Sequence, residues 1–448
     1  MRFPIVKLAP AQILVLGFAG VIFLGALLLT FPFASQNGNS LRFLDALFTA
    51  TSAVCVTGLV IVDTGIHFTR FGQTVIILLI QIGGLGFMTI STLIGIFLGK
   101  KIGLKERILI QESFNQITLA GLVRLIKNVI LATLFFEFLG GVILSFRFMA
   151  DFPIQRALAY GFFHSISAFC NAGFDLFGQV YGEFSSITHF TSDWLVVLTI
   201  SILIIIGGLG FPVIVELLKY PKNNRLSLHS KLVLRMTLAL IIIGAILIFA
   251  TEMTNIKTVG GVNLTGKFLG AVFQAITPRT AGFNTLDISQ MRNGTWFILI
   301  ILMFIGASPS STGGGIKTTT FGVLAATIGT TIKGREDVEI FERRIPKDII
   351  FKAITIMSIA LGWVSFVTII LSLVEPYTFI KLFFEVMSAF GTVGLSNGIT
   401  PNLNDISRVL ITITMFIGRL GPLTVMIALS KNEKINCTKY IEERLMIG

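Results

Sequence analysis

Four short glycine-centred segments recur along this chain at intervals of 115, 109 and 112 residues. They read Ser52-Ala-Val-Cys-Val-Thr-Gly58-Leu, Ser167-Ala-Phe-Cys-Asn-Ala-Gly173-Phe, Ile276-Thr-Pro-Arg-Thr-Ala-Gly282-Phe and Ser388-Ala-Phe-Gly-Thr-Val-Gly394-Leu. A chain that carries one unit four times is constrained to build four similar elements and to set them around a common axis. The residues between them decide the solvent. Hydrophobic side chains make up 54% of the chain and charged ones 13%, against about 25% charged in a soluble domain. Too little polar surface remains to solvate a globule, so the sequence predicts an all-α integral membrane protein.

Each repeat divides into a long, a short and a long apolar piece. These are Ala11–Phe33, Ser40–Val54 and Phe71–Leu98; Leu125–Phe148, Ile154–Phe169 and Trp194–Leu218; Leu228–Ala250, Lys267–Ile276 and Thr295–Ile332; Ile349–Val374, Thr378–Phe390 and Val409–Leu429. A helix needs roughly 20 apolar residues to cross a bilayer, so the long pieces span and the short ones are re-entrant half-helices. Irregular backbone after a half-helix is tolerated at membrane depth only where protein buries it or it lines a water-filled cavity. The expected architecture is four tandem M1–P-loop–M2 repeats, with eight transmembrane helices and four pore half-helices around a pseudo-fourfold pore. The repeats occupy residues 1–99, 100–222, 223–345 and 346–430, followed by a tail at 431–448.

Topology follows from charge. With the spans so placed, 23 of the 35 Lys and Arg lie on one side, ten on the other, and Lys317 and Arg419 within the membrane. The excess marks the cytoplasmic face and puts both termini there. It accounts for the net charge of +12 through topology and anionic lipid, not nucleic acid. The run after Arg2 and Lys7 is long enough to span, and reads as a first helix and not a cleaved leader. Cys55, Cys170 and Cys437 form no CxxC pair and read as small packing residues. The glycine runs Gly83-Gly-Leu-Gly86, Gly207-Gly-Leu-Gly210 and Gly418-Arg-Leu-Gly421 read as close helix contacts. In repeat two the glycine run follows its loop glycine by 34 residues, against 24 or 25 in the others, an insertion read as the polar stretch Gly178–His189 outside the membrane.

The half-helices share Ser52, Ser167 and Ser388, and Phe48, Phe163 and Phe384, counted from each glycine; a one-residue shift adds Thr277 and Phe273. A further position holds Thr49, His164, Gln274 and Glu385, read as anchoring hydrogen bonds or as contacts to a transported species. A dehydrated monovalent cation needs oxygens in place of its water, and backbone carbonyls aimed at an axis supply them. Glycine allows the dihedrals such a turn requires. The partly negative C-terminal ends of four half-helices would favour a cation between them.

These residues resemble the Ktr/Trk/HKT superfamily of potassium transporters, in particular its membrane subunit of KtrB or KtrD type. Thr57-Gly58, Asn171-Ala172-Gly173-Phe174, Thr280-Ala281-Gly282-Phe283-Asn284 and Thr392-Val393-Gly394 carry the resemblance, which covers nearly the whole chain. It implies a selectivity filter formed by Val56, Thr57, Gly58, Asn171, Ala172, Gly173, Thr280, Ala281, Gly282, Thr392, Val393 and Gly394, with K+ as the transported ion. The single glycine per loop departs from Thr-Val-Gly-Tyr-Gly, so fewer carbonyl rings are expected. The resemblance further implies a homodimer in the plasma membrane, docked on a cytosolic nucleotide-binding ring of KtrA or KtrC type. This chain itself would carry no cofactor; the nucleotide would sit on the partner. Lys100–Arg107, Lys219–Arg235, Lys333–Lys347 and the tail are candidate docking surfaces.

The second long piece of repeat three is interrupted by Gly306-Ala-Ser308-Pro309-Ser310-Ser-Thr-Gly313-Gly314-Gly315-Ile-Lys317. Proline and three consecutive glycines do not sustain a helix. The segment reads as a loop beneath the four turns acting as a movable barrier, and the resemblance implies an intramembrane gating loop. Arg419 either snorkels or lies under the turns, opposing cations or pairing with that loop. Lys317 belongs to the same region or reaches the cytoplasmic side. Glu137, in the middle of a first helix, makes a structural pair or a helix-contact hydrogen bond; a proton-relay role would need a further partner. Asp63, Asp175 and Asp287 follow their loops and either attract cations or cap turns. No HExxH occurs and the four histidines lack ligand spacing, which excludes the usual metalloenzyme reading. Passive potassium conduction is the leading function, with a sodium- or proton-coupled symporter as the alternative.

Overall fold

The computed structural model describes residues 9–86, 89, 92, 122–260 and 263–429. The candidate docking surface Lys100–Arg107, the tail and Cys437 lie outside the described residues.

The chain is a succession of helices: α1 (Pro10–Thr30), α2 (Phe43–Val54), α3 (Arg70–Leu85), α4 (Leu122–Phe148), α5 (Ile154–Phe169), α6 (Trp194–Leu209), α7 (Phe211–Asn223), α8 (Leu228–Glu252), α9 (Leu264–Ile276), α10 (Asn293–Phe304), α11 (Thr318–Ile332), α12 (Lys347–Val374), α13 (Phe379–Gly391), α14 (Asp405–Leu420) and α15 (Pro422–Leu429). Four of them (α1, α4, α8 and α12) are individually long and apolar enough to cross a membrane. Large side chains on their outer faces, such as Leu24, Phe138, Ile246 and Phe366, are exposed, as lipid-facing residues must be. Between α11 and α12 a two-stranded hairpin, β1 (Glu339–Ile340) and β2 (Arg343–Arg344), turns through Phe341 and Glu342. The Arg235 guanidinium stacks 4.1 Å from the centroid of Phe341.

The short helices occupy the interior. Phe48, Phe273 and Phe384 are fully buried and Phe163 nearly so, which draws α2, α5, α9 and α13 into the core shared by the long helices. Their C-terminal ends are Val54, Phe169, Ile276 and Gly391, within a residue of the expected limits.

Two expected continuous helices are broken. Trp194–Leu218 divides into α6 and α7, which meet at 102°, and Val409–Leu429 falls within α14 and α15, which meet at 98°. The hinges are Gly210 (φ 93°) and Gly421 (φ 87°). Pro212 and Pro422 follow at the second and first positions of the new helix. Proline has no N–H to continue the preceding helix but fits a first turn. Gly86 (φ 83°) ends α3 in the same conformation. The last glycine of each run is therefore a helix terminator. The first one packs: Gly83, Gly207 and Gly418 face the carbonyls of Val54, Phe169 and Phe390, where a Cβ would collide.

Candidate functional site

Three of the short helices end in one backbone device. The N–H of Thr57, Ala172 and Val393 donates to the carbonyl of Ser52, Ser167 and Ser388 at 2.8, 2.7 and 2.8 Å. The N–H of Val56, Asn171 and Thr392 donates to Ala53, Ala168 and Ala389 at 3.2, 3.1 and 3.1 Å. This is the paired bonding of a Schellman cap, which demands a left-handed residue just past the helix. Val56 (φ 57°), Asn171 (φ 60°) and Thr392 (φ 49°) supply it. In α9, which is one residue shorter to its glycine, Ala281 N–H donates to Thr277 O at 2.9 Å and Thr280 (φ 69°) is left-handed. Three of these four residues are β-branched, for which positive φ is strained by about 1–3 kcal/mol. Cys55 and Cys170 are the buried residues that close α2 and α5.

Two residues further on, Gly58, Gly173, Gly282 and Gly394 all have positive φ (91°, 69°, 78° and 89°). The helix-end hydroxyls hold this second turn. Gly58 and Gly394 N–H donate to Ser52 and Ser388 Oγ at 3.0 and 3.1 Å. Ser167 and Thr277 donate to Phe174 and Phe283 O at 2.8 and 2.5 Å.

The four turns meet. The face of Gly58 that lacks a Cβ abuts the Ala172 carbonyl, that of Gly173 the Ala281 carbonyl, that of Gly282 the Val393 carbonyl, and that of Gly394 the Thr57 carbonyl. Each loop thus contacts the next in chain order and the fourth returns to the first. All four glycines line one cavity of about 800 Å³, with Asp63, Asp175, Glu183 and Asp287 on its walls. Asp63 also accepts from Ile66 and Phe184 N–H (2.9 and 2.8 Å), and Asp287 from Ser289 N–H (2.9 Å). Burial, and then the Asp63 charge, push the Asp175 carboxyl up to about 7. The polar stretch of repeat two, expected only to lie outside the membrane, forms a wall of this cavity. Ser186 Oγ accepts from Asn284 N–H (3.1 Å), bridging to the third loop.

The position shared by Thr49, His164, Gln274 and Glu385 divides. His164 Nδ1–H donates to Tyr160 O (2.6 Å), and Nε2 accepts from Leu176 N–H (3.4 Å). Glu385 accepts from Ser396 Oγ, Asn397 N–H and Thr400 Oγ1 at 2.5, 3.1 and 2.9 Å. Both tie down the chain beyond a glycine. Thr49 donates within its own helix (2.9 Å to Asp45 O), and the Gln274 amide has no partner among the described residues.

On the opposite side of the ring lies the interruption of repeat three. Helix stops at Phe304 and restarts at Thr318, with Ile305 and Ile316 bridged in parallel at the neck. Three consecutive loop residues meet three of the left-handed residues. Thr312 Oγ1 donates to Asn171 Oδ1 (3.2 Å), Gly313 lies against Thr280 Oγ1, and Gly314 N–H donates to Thr392 Oγ1 (2.9 Å). The fourth such residue, Val56, is apolar. Ser308, Thr312 and Gly315 N–H donate to Gly208, Gly207 and Gly418 O at 3.0, 3.3 and 3.2 Å. Phe211 N–H, just past the Gly210 hinge, donates to Ser310 O at 2.9 Å, and Gly210 makes room for Pro309 O. Gly306 packs on Gly314 and Gly315. Lys317 Nζ donates back to Gly313 O (2.7 Å). The Arg419 guanidinium donates to Thr312 O and to Gly83 O, and so spans from the loop to the end of α3. Arg279, counted by sequence among the outer basic residues, is instead buried beside the third turn, its carbonyl accepting from Asn171 Nδ2 (3.1 Å).

Comparison with known proteins agrees in scale. A family model described as "Cation transport protein" (TrkH) matches residues 9–438. The chain is similar to "Ktr system potassium uptake protein B" of Bacillus subtilis, 44% identical over 99% of this chain and 98% of that one. It is similar to "Potassium/sodium uptake protein NtpJ" of Enterococcus hirae, 39% identical over 99% and 98%. It is also similar to "Ktr system potassium uptake protein D" of Bacillus subtilis, 39% identical over 98% of each. Its fold matches the crystal structure of the potassium transporter TrkH from Vibrio parahaemolyticus with a TM-score of 0.73 and 17% identity, over 96% of this chain and 87% of that one.

Proposed function

Because this chain belongs to the TrkH family of cation transport proteins, we propose that it is a membrane subunit of KtrB or KtrD type that passes K+ passively through the ring of four loops. The observation that carries the reading is the closed chain of glycine-to-carbonyl contacts facing one outer cavity. In this reading residues 1–99, 100–222, 223–345 and 346–430 are four M1–P-loop–M2 units, giving eight spanning helices and four pore half-helices. Val56-Thr57-Gly58, Asn171-Ala172-Gly173, Thr280-Ala281-Gly282 and Thr392-Val393-Gly394 are the filter. Their carbonyls replace ion hydration, and the four helix ends contribute about half a negative charge each. The membrane potential drives inward flow with roughly 2.3 kcal/mol per charge per 100 mV.

The segment from Gly306 to Lys317 is the gate. It occupies the space under the ring, and Arg419 holds it with a positive charge that itself opposes a cation. Opening requires the loop to leave Asn171, Thr280 and Thr392. The subunit sits in the plasma membrane as a homodimer with cytoplasmic termini. A cytosolic nucleotide-binding ring of KtrA or KtrC type controls the loop, and the hairpin at Glu339–Arg344 belongs to a candidate docking face.

The test is rescue of a potassium-uptake-deficient cell at low external K+, with each ring glycine changed to Ser. Full rescue with unchanged ion preference would remove the filter assignment. One relative is named for both potassium and sodium, so a coupled symporter is the second reading. Reversal potentials in proteoliposomes separate the two, since only an uncoupled pathway reverses at the single-ion K+ value.

A further inference from the structure

We propose that Arg279 sets how tightly the ring holds its cation, by placing one unpaired positive charge beside the third turn. The repeat itself marks the residue. Three positions before each ring glycine stand Cys55, Cys170, Arg279 and Gly391, and all four are buried. The interior favours a small residue here. Cys170 Sγ fills the face of Gly84, and Gly391 lies against the backbone of Met303. Repeat three instead puts a long cationic side chain in the same place, 3% exposed. Its base is fixed to the ring, since Asn171 Nδ2 donates to Arg279 O (3.1 Å) and to Thr280 Oγ1 (3.3 Å).

The guanidinium stands alone. Among the described residues its Nε and Nη2 have no hydrogen-bond partner, and no carboxylate pairs with it. A buried charge is expensive unless it is paired. One compensation is the C-terminal end of α9, which closes three residues earlier at Ile276 and is partly negative. The field that α9 would aim at an ion is thereby offset, whereas α2, α5 and α13 carry no cation at the matched position. The Arg419 guanidinium, by contrast, is bound to carbonyls of the loop and of α3. A conducting site must bind its ion firmly enough to admit it and weakly enough to release it. A fixed positive charge at Arg279 shifts that balance toward release. The inference rests on the reading of the ring as an ion filter.

Calorimetric titration of K+ and of Ba2+ into the chain in nanodiscs tests this. Two unit charges about 10 Å apart at an effective dielectric of about 20 change occupancy roughly tenfold. Arg279→Gln should therefore tighten K+ binding by about tenfold. Ba2+ is close to K+ in size and doubly charged, so the same field should tighten it by about a hundredfold. Salt screens a buried charge little, so both shifts should persist as N-methylglucamine chloride is raised. Arg279→Lys should keep the parent affinities, because no fork-shaped partner distinguishes the two cations here. Arg279→Met, neutral and of similar length, should behave as Gln does, and it serves if the Gln variant folds poorly. Parent-like K+ binding in folded neutral variants would overturn the proposal, as when a bound anion such as chloride already cancels the charge. A Ba2+ shift no larger than the K+ shift would also overturn it, since that marks altered packing and not a field. So would neutral variants that never fold while Arg279→Lys does, because the charge would then be a requirement of folding. Gly282→Ser separates this inference from the reading beneath it. It should abolish K+ binding; binding that survives it would remove the ring assignment, and this proposal with it.

Discussion

The ring of turns and the loop beneath it are in contact, yet they are held by different kinds of bond. Each turn is closed within its own segment by backbone pairs, and each glycine face is filled by the next loop's carbonyl. A turn leaves that ring only by opening its own cap. The loop from Gly306 to Lys317 instead borrows groups that other elements leave unpaired. Gly207, Gly208 and Gly418 sit in the last turns of α6 and α14, where helix carbonyls lack an intrahelical donor. Water can satisfy those carbonyls as well as the loop does. On the proposed reading, the rigid part is the one that must measure an ion, and the part held by exchangeable bonds is the one that must leave.

The largest effect should come from breaking the ring. Gly→Ser forces an L side chain into positive φ at about 1–2 kcal/mol and drives its Cβ into a neighbouring carbonyl. Each substitution should lower K+ uptake at low external K+ by at least about tenfold. The carbonyl approaches most closely at Gly394, then Gly58, Gly282 and Gly173, and the defects should follow that order. A set of four equal or absent defects in well-expressed variants would mean the ring does not set conduction.

Releasing the loop should act in the opposite direction. Arg419→Ala removes the donors to Thr312 and Gly83. A hydrogen bond from a charged group contributes about 1.5–3 kcal/mol, so flux in proteoliposomes should rise by about tenfold or more. Deletion of Ser308–Gly315 should raise it further and remove its response to any regulatory partner. Thr392→Val is a finer cut, since it strips one acceptor from Gly314 N–H. At about 1 kcal/mol for a neutral bond, it should raise flux roughly fivefold without changing ion preference. A shift in preference would show that the Thr392 side chain, and not its carbonyl alone, takes part in selecting the ion.

The two sides of this contrast are unevenly legible in the amino-acid sequence. The ends of the half-helices and the limits of the loop were legible because Pro309 and Gly313–Gly315 break helix in any context. The docking groups were not. The left-handed residues at the helix ends are Val56, Asn171, Thr280 and Thr392, none of a type that signals positive φ except Asn171; the cap geometry chooses their conformation and a β-branched residue argues against it. The hinges at Gly210 and Gly421 were hidden inside runs that also serve close packing, although Gly-Phe-Pro and Gly-Pro do carry a stop signal. Arg279 was misplaced because a charge near a loop reads as exposed until packing shows otherwise.

The smallest effect should come from outside both regions. Asp175 lies on the cavity wall beyond the ring, and with its carboxyl pushed up to about 7 it carries only part of a charge at neutral pH. Among the described residues it makes no bond to the ring or the loop, its carboxyl accepting from Phe177 N–H (3.0 Å), so it contributes a field. Asp175→Asn should therefore slow uptake by about twofold at low ionic strength. The deficit should fade as salt shortens the screening length toward about 8 Å. Ion preference and regulation should stay as they were. A deficit that persisted in salt, or a change in preference, would show that the mouth of the cavity and the ring are one mechanical unit, and the division between a rigid measuring part and its surroundings would have to be redrawn at Phe174.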